Sequence, residues 1–130
     1  MILDSSAIAA IFLHEPECER LLVAIADAQS LMVSAATFLE VGIVLSHRKG
    51  RPMQYALEEF FAKMSIEVVP FTNEHREIAL RAWWQHGRTR SVANLNFGDC
   101  ISYATAVLAA EPLLCKGDDF RATDIELAPW

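Results

Sequence analysis

The chain has 130 residues, 53% of them hydrophobic, enough to fill the core of one domain spanning residues 1–130 with no linker inside it. Its formal charge of −6, from 11 basic and 17 acidic residues, argues against a protein that coats nucleic acid without specificity, though not against an enzyme that acts on it. No stretch approaches the ~20 uninterrupted apolar residues of a membrane span, and the apolar start lacks the basic leader of a secretory signal, so the reading is a soluble chain without a membrane segment. Residues 1–3, MIL, read as a buried strand ending at Asp4, and AIAAIFL after Ser5 and Ser6 reads as a helix. A second helix is expected from Pro16 to about Ala28, where Cys18, Leu21, Leu22 and Ile25 recur at helical spacing. LMVS at 31–34 is the next strand, and Ser34 or Thr37 can cap a helix running to Gly50. Pro52 opens a fourth helix, IEVVPF at 66–71 is strand-like, and Thr72 or Asn73 precedes a helix that closes on Gly87.

RTRSVANLN at 88–96 has no period and reads as a loop, FGDCISYATAVLAA as a helix up to Glu111, PLLC at 112–115 as a strand, and IELA as a short last one. Strands thus alternate with helices, which predicts an α/β fold with a central parallel sheet covered on both faces. The cysteines Cys18, Cys100 and Cys115 match no zinc spacing. They are read as small buried hydrophobes in a reducing cytoplasm.

Most acids fall on polar helix faces, but a few do not. Asp4 follows a buried strand at its C-terminal end, where parallel sheets place their ligand crevice. Glu40 lies in a helix that looks apolar all round, with Ala36, Ile43 and Val44 beside it, so its charge needs a cation or a metal. Asp99 sits in the first turn of a helix, where a carboxylate is also a good cap. Asp118 and Asp119 follow PLLC, on the same rim as Asp4. Several carboxylates on one rim, without a histidine or cysteine cluster, suit hard Mg²⁺ or Mn²⁺ ions, which assist attack of water on a phosphoryl group. Two windows free of acid, around His47, Arg48, Lys49 and Arg51 and around Arg81, His86, Arg88 and Arg90, could hold the flanking phosphates of a nucleic acid. Trp83 and Trp84, at helical spacing with Ile78, Ala79 and Ala82, read as core residues before they read as a stacking surface.

MILDSSAIAAIFLHEPE, SAATFLEVGIVL, LNFGDCISYATAVLAAEPLLCKGDDF and TDI, in this order and spacing, resemble the PIN-domain toxins of the VapC kind over essentially the whole chain. The resemblance implies a three-layer α/β/α domain, Mg²⁺- or Mn²⁺-dependent cleavage of RNA, a cognate VapB-like antitoxin and a homodimer. It matches Asp4, Glu40 and Asp99 to an acidic triad, with Asp4 and Asp99 as metal ligands and Glu40 as a further metal ligand or water-positioning group. The turn KGDDF departs from the commonest family pattern, so either Asp118 or Asp119 supplies the fourth acid. Ser6 matches a hydroxyl residue that orients the first Asp or a water, and Arg88 and Arg90 are assigned to substrate phosphates. A receiver-like phosphotransfer domain would show an acidic pair at the first strand and a late-strand lysine; DSS lacks the pair and Lys116 is a poor stand-in. A binding module with vestigial acids would have lost one of the triad.

Overall fold

The computed structural model describes residues 1–88 and 91–130. In chain order its elements are β1 (Ile2–Leu3), α1 (Ser5–Phe12), α2 (Cys18–Asp27), β2 (Leu31–Ser34), α3 (Ala35–Lys49), α4 (Gln54–Lys63), β3 (Ile66–Val69), α5 (Asn73–His86), α6 (Phe97–Ala109) and β4 (Leu113–Leu114). All pairings among the strands are parallel, in the order β3-β2-β1-β4. Alternation along each strand decides which layer its side chains enter. Leu3, Val33 and Leu114 point into a core shared with α1, α2, α3 and α4, while Ile2, Met32 and Leu113 point into one shared with α5 and α6. Both faces are therefore apolar and both are covered, which is why these strands are hydrophobic runs rather than alternating ones.

The order of the strands places the functional rim. From β1 the chain adds β2 and β3 on one side, then returns to put β4 on the other side of β1. A crevice opens at such a reversal, at the C-terminal ends of the strands. Asp4 follows β1 there, Ser34 caps α3 after β2, and the turn after β4 begins with Cys115. Because α6 delivers the chain to the start of β4, its own N-terminus, with Asn96 and Asp99, stands at the same rim.

Several boundaries differ from expectation for local reasons. The second helix begins at Cys18 rather than Pro16, since residues 15–17 form a turn closed by the Cys18 N–H to the Glu15 carbonyl. The fourth begins at Gln54, and β3 stops at Val69, before Pro70, which has no N–H for a ladder. IELA contributes only a parallel bridge between Leu127 and Leu113. Helix α6 ends at Ala109 because Ala110 takes a left-handed conformation, φ 52°, at its cap. An L side chain is strained there, so Ala110→Gly is expected to stabilise the protein by about 1 kcal/mol, read from chemical denaturation; no gain would mean that the Ala110 methyl makes contacts worth as much.

Helix α3, expected to have no solvated face, is not buried all round. Its buried face is Thr37, Val41 and Leu45, while Leu39 and Ile43 are more than half exposed. Its basic end also serves the helix more than the rim. His47, Arg48 and Lys49 occupy the last turn, where the helix dipole favours cations, and Gly50 caps it with φ 64°. With a rise of ~1.5 Å per residue, that window lies on the order of 12 Å beyond Glu40, away from the carboxylates. The tryptophan expectation fails for Trp84, which is 64% exposed, while Trp83 is partly covered at 37%.

Candidate functional site

Asp4 is 1% exposed. Its Oδ2 caps α1, accepting from the Ser6 amide at 2.9 Å and from Ser6 Oγ at 2.5 Å. Ser6 Oγ in turn accepts the Lys116 backbone N–H at 2.9 Å, so one hydroxyl ties the first strand's carboxylate to the turn after β4. Asp4 Oδ1 is buried without a hydrogen-bond partner among the described residues.

Asp99 forms a capping box with Asn96. The Asn96 N–H donates to Asp99 Oδ2 at 2.7 Å, and the Asp99 N–H donates to Asn96 Oδ1 at 3.1 Å. A cap of this kind would ordinarily favour the carboxylate. Burial outweighs it: Asp99 is 8% exposed, and its pKa is pushed up to about 6, with the charges of Asp4, Asp119 and Glu40 adding to the rise. Those contributions show which acids the fold has brought together.

Glu40 reaches the group from α3. Its pKa is raised by burial first and by Asp4 second, against a hydrogen bond from Ser5. Among the described residues its Oε2 is also buried without a partner, and the buried hydroxyls of Thr37, a turn before Glu40, and Ser102, a turn after Asp99, share that state. The carboxylate lies flat against Gly98: a Cβ at that position would meet Glu40 Cδ at 2.6 Å, inside contact distance. Gly98 escaped the sequence reading, which saw only the cap; the signal available was a glycine directly before an acid in a first turn.

The two aspartates of KGDDF part company. Both are exposed, and Asp118 pairs with Arg121 Nε at 2.9 Å. Asp119 is the one whose charge is felt at Asp99 and at the buried Cys115 thiol. The loop that carries Arg88 is tied to the site by the backbone: the Arg88 N–H donates to the Leu95 carbonyl at 3.1 Å and Leu95 returns a bond to His86, immediately before Asn96. Arg88 is exposed, and Arg90 lies outside the described residues. Cys100 and Cys115 are buried free thiols; both pKa values are raised, to about 11 and about 12, mainly by burial, which suits inert packing.

The donor set is all oxygen. Among the described residues, no three acidic, histidine or cysteine side chains are gathered as a ready-made cage for an ion. Two partnerless buried carboxylate oxygens nevertheless fit a hard cation, which takes only about one or two protein carboxylates and completes its shell with water. Among the described residues, no helix is long and apolar enough to cross a membrane.

Comparison with known proteins identifies the family. The PIN domain model matches residues 1–126. Ribonuclease VapC of Mycolicibacterium smegmatis is 38% identical over 125 residues, covering 96% of this chain and 97% of that protein. Ribonuclease VapC36 of Mycobacterium tuberculosis is 41% identical over 127 residues, covering 97% and 91%. Among solved structures, Mycobacterium tuberculosis VapC20, described as a sarcin-ricin loop cleaving toxin, superposes with a TM-score of 0.74 at 20% identity over 98% of both chains. A toxin-antitoxin complex from Klebsiella pneumoniae gives 0.72 at 18% identity, covering 99% and 97%. The α/β/α fold with its acids at the strand ends, the whole-length match and the identities together place the chain in the PIN-domain family, among the VapC ribonucleases.

Proposed function

We propose that this chain is the toxin of a toxin-antitoxin pair and cleaves RNA phosphodiester bonds by metal-assisted hydrolysis in the cytoplasm. The observation that carries the reading is a pair of buried oxygens, Asp4 Oδ1 and Glu40 Oε2, without a hydrogen-bond partner among the described residues, beside a third carboxyl, Asp99, that burial disfavours in its charged form. Buried carboxylates at neutral pH need a compensating cation. Asp4 and Asp99 would hold Mg²⁺ or Mn²⁺, with Asp119 adding negative charge at the rim. When bound, the ion supplies charge stabilisation at the phosphoryl oxygens and acidifies a water.

The chain's own residues do the rest. Ser6 holds Asp4 Oδ2 and leaves Oδ1 free for the ligand. Glu40 orients the attacking water and accepts its proton at Oε2, a task suited by a pKa raised towards the working pH. The N-termini of α1, α3 and α6 meet at this rim and favour an anion. Arg88 and Arg90 hold flanking phosphates and set the position of the RNA without reading its bases.

A protein partner is supported by the exposed apolar face of α3. A groove of about 550 Å³ lined by Phe38, Leu39, Ile43, Pro52 and Met53 starts within a turn of Glu40, where an antitoxin segment could lie and cover the acids. A second apolar groove, between α5 and α6 at Leu80, Trp83 and Phe97, suits a homodimer contact.

The test is cleavage of a mixed RNA pool by purified, antitoxin-free protein in Mg²⁺ and in EDTA, alongside Asp4→Asn. Cleavage that requires the metal and disappears in the variant is expected. Cleavage that survives EDTA, or survives the loss of Asp4, would overturn the reading.

A further inference from the structure

Lys116 follows the last strand and stands on the acidic rim, yet the reaction proposed above gives it no part. It is held from several directions. Its Nζ pairs with Glu15 Oε2 at 2.5 Å and with Glu17 Oε2 at 3.1 Å, all three side chains being about two-thirds covered. Its backbone N–H is the donor that fixes Ser6 Oγ, and Ser6 fixes Asp4. The preceding carbonyl, on Cys115, accepts from Trp130 Nε1 at 2.9 Å. Beyond Lys116, only residues 117–119 separate it from Phe120, which is buried at 3% exposure, and Gly117 turns the chain with φ 102°. Asp119 therefore hangs between two anchors, of which Lys116 is linked through Ser6 to Asp4.

Glu15 and Glu17 come from the turn between α1 and α2, a part of the chain with no carboxylate in the site. Two acids and one base leave this cluster with a negative sign, so it does not act by neutralising the acidic centre. What it does is tie the α1–α2 turn to the turn after β4, across the end of β1.

Resting on the metal-binding reading above, we infer that Lys116 is a positioning residue: its ion pairs with Glu15 and Glu17 fix the turn after β4 and thereby hold Asp4, through Ser6, in place for a divalent cation, with Asp119 on the rim beside it. A charge effect and a positioning effect have opposite signs for one substitution. Lys116→Met removes a positive charge, which by electrostatics alone would tighten cation binding; loss of positioning weakens it. Groups behind metal ligands carry weight of this order, with substitutions typically costing about 10- to 100-fold in affinity.

The experiment is a Mn²⁺ titration of the purified chain, with free Mn²⁺ counted by electron paramagnetic resonance. Lys116→Met is expected to weaken binding about tenfold or more, Lys116→Arg to restore most of it, and the double variant Glu15→Gln, Glu17→Gln to weaken it as well. Amide exchange gives a readout that needs no metal: in the metal-free double variant, the amides of residues 116–119 are expected to exchange about tenfold faster. Native or tighter Mn²⁺ binding by Lys116→Met overturns the inference while leaving the metal site standing. Should Lys116→Met fail to fold, as seen by circular dichroism, unchanged exchange in the double variant overturns it instead. Absence of Mn²⁺ binding by the unmodified chain, or undiminished binding by Asp99→Asn, removes the site reading and this inference with it.

Discussion

Asp99→Asn is expected to abolish RNA cleavage, by a thousandfold or more on the order of losses seen when a metal or electrostatic group is removed from a reacting centre, and at the same time to make the metal-free protein more stable above pH 6. The two effects share one cause. In the folded chain the Asp99 carboxyl is buried among Asp4, Asp119 and Glu40, and its pKa lies at about 6 against an ordinary 3.8. A raised acid pKa contributes stability while the group is protonated; that contribution is complete below about 3.8 and is lost as the pH rises through about 6. The shift corresponds to about 3 kcal/mol. Asn cannot ionise, and its side-chain carbonyl can still accept the Asn96 N–H that closes the cap. The variant should therefore exceed the native chain by about 3 kcal/mol at pH 8 and lose its advantage towards pH 4. Denaturant midpoints in EDTA at several pH values would measure this, and a difference independent of pH would show that ionisation of Asp99 is not what limits stability.

The second large effect is expected at Gly98, a residue with no chemistry of its own. A methyl group there would overlap the Glu40 carboxylate, so Gly98→Ala must push Glu40 away or tilt the first turn of α6. Displacements of about 1 Å at a reacting centre typically cost on the order of a hundredfold in rate. Turnover should fall by about that factor or more, while the fold, judged by circular dichroism, persists. Full activity in Gly98→Ala would mean that Glu40 can take another rotamer without loss, and its assigned task would then pass to another group.

The rim acids were visible in the sequence to different degrees. Asp4 could be placed because MIL is too apolar for anything but a buried strand, and a buried strand's end has one address in a parallel sheet. Glu40 stood out for a reason that the structure modifies: Leu39 and Ile43, which made its helix look buried all round, are exposed, and the carboxylate is instead half-buried against Gly98 and near Asp4. Asp99 read equally as a cap, and it is a cap; its raised pKa comes from burial and from acids on three other segments. The exposed indole of Trp84 misled because helical periodicity says which residues share a face but not whether that face is covered.

By itself, the sequence determined the alternation of strands and helices, the parallel sheet and the family, because hydrophobic periods, caps and motif order are local properties that survive without knowledge of neighbours. The tertiary structure decided what depends on distance between segments far apart in the chain. Asp119 and not Asp118 is felt at Asp99, although both are exposed, while Asp118 is paired with Arg121. Lys116 lies within reach of Glu15 and Glu17, about a hundred residues earlier, only because β4 pairs beside β1. Electrostatic coupling falls with separation in space, and separation in space is what a linear sequence leaves open until the chain has folded.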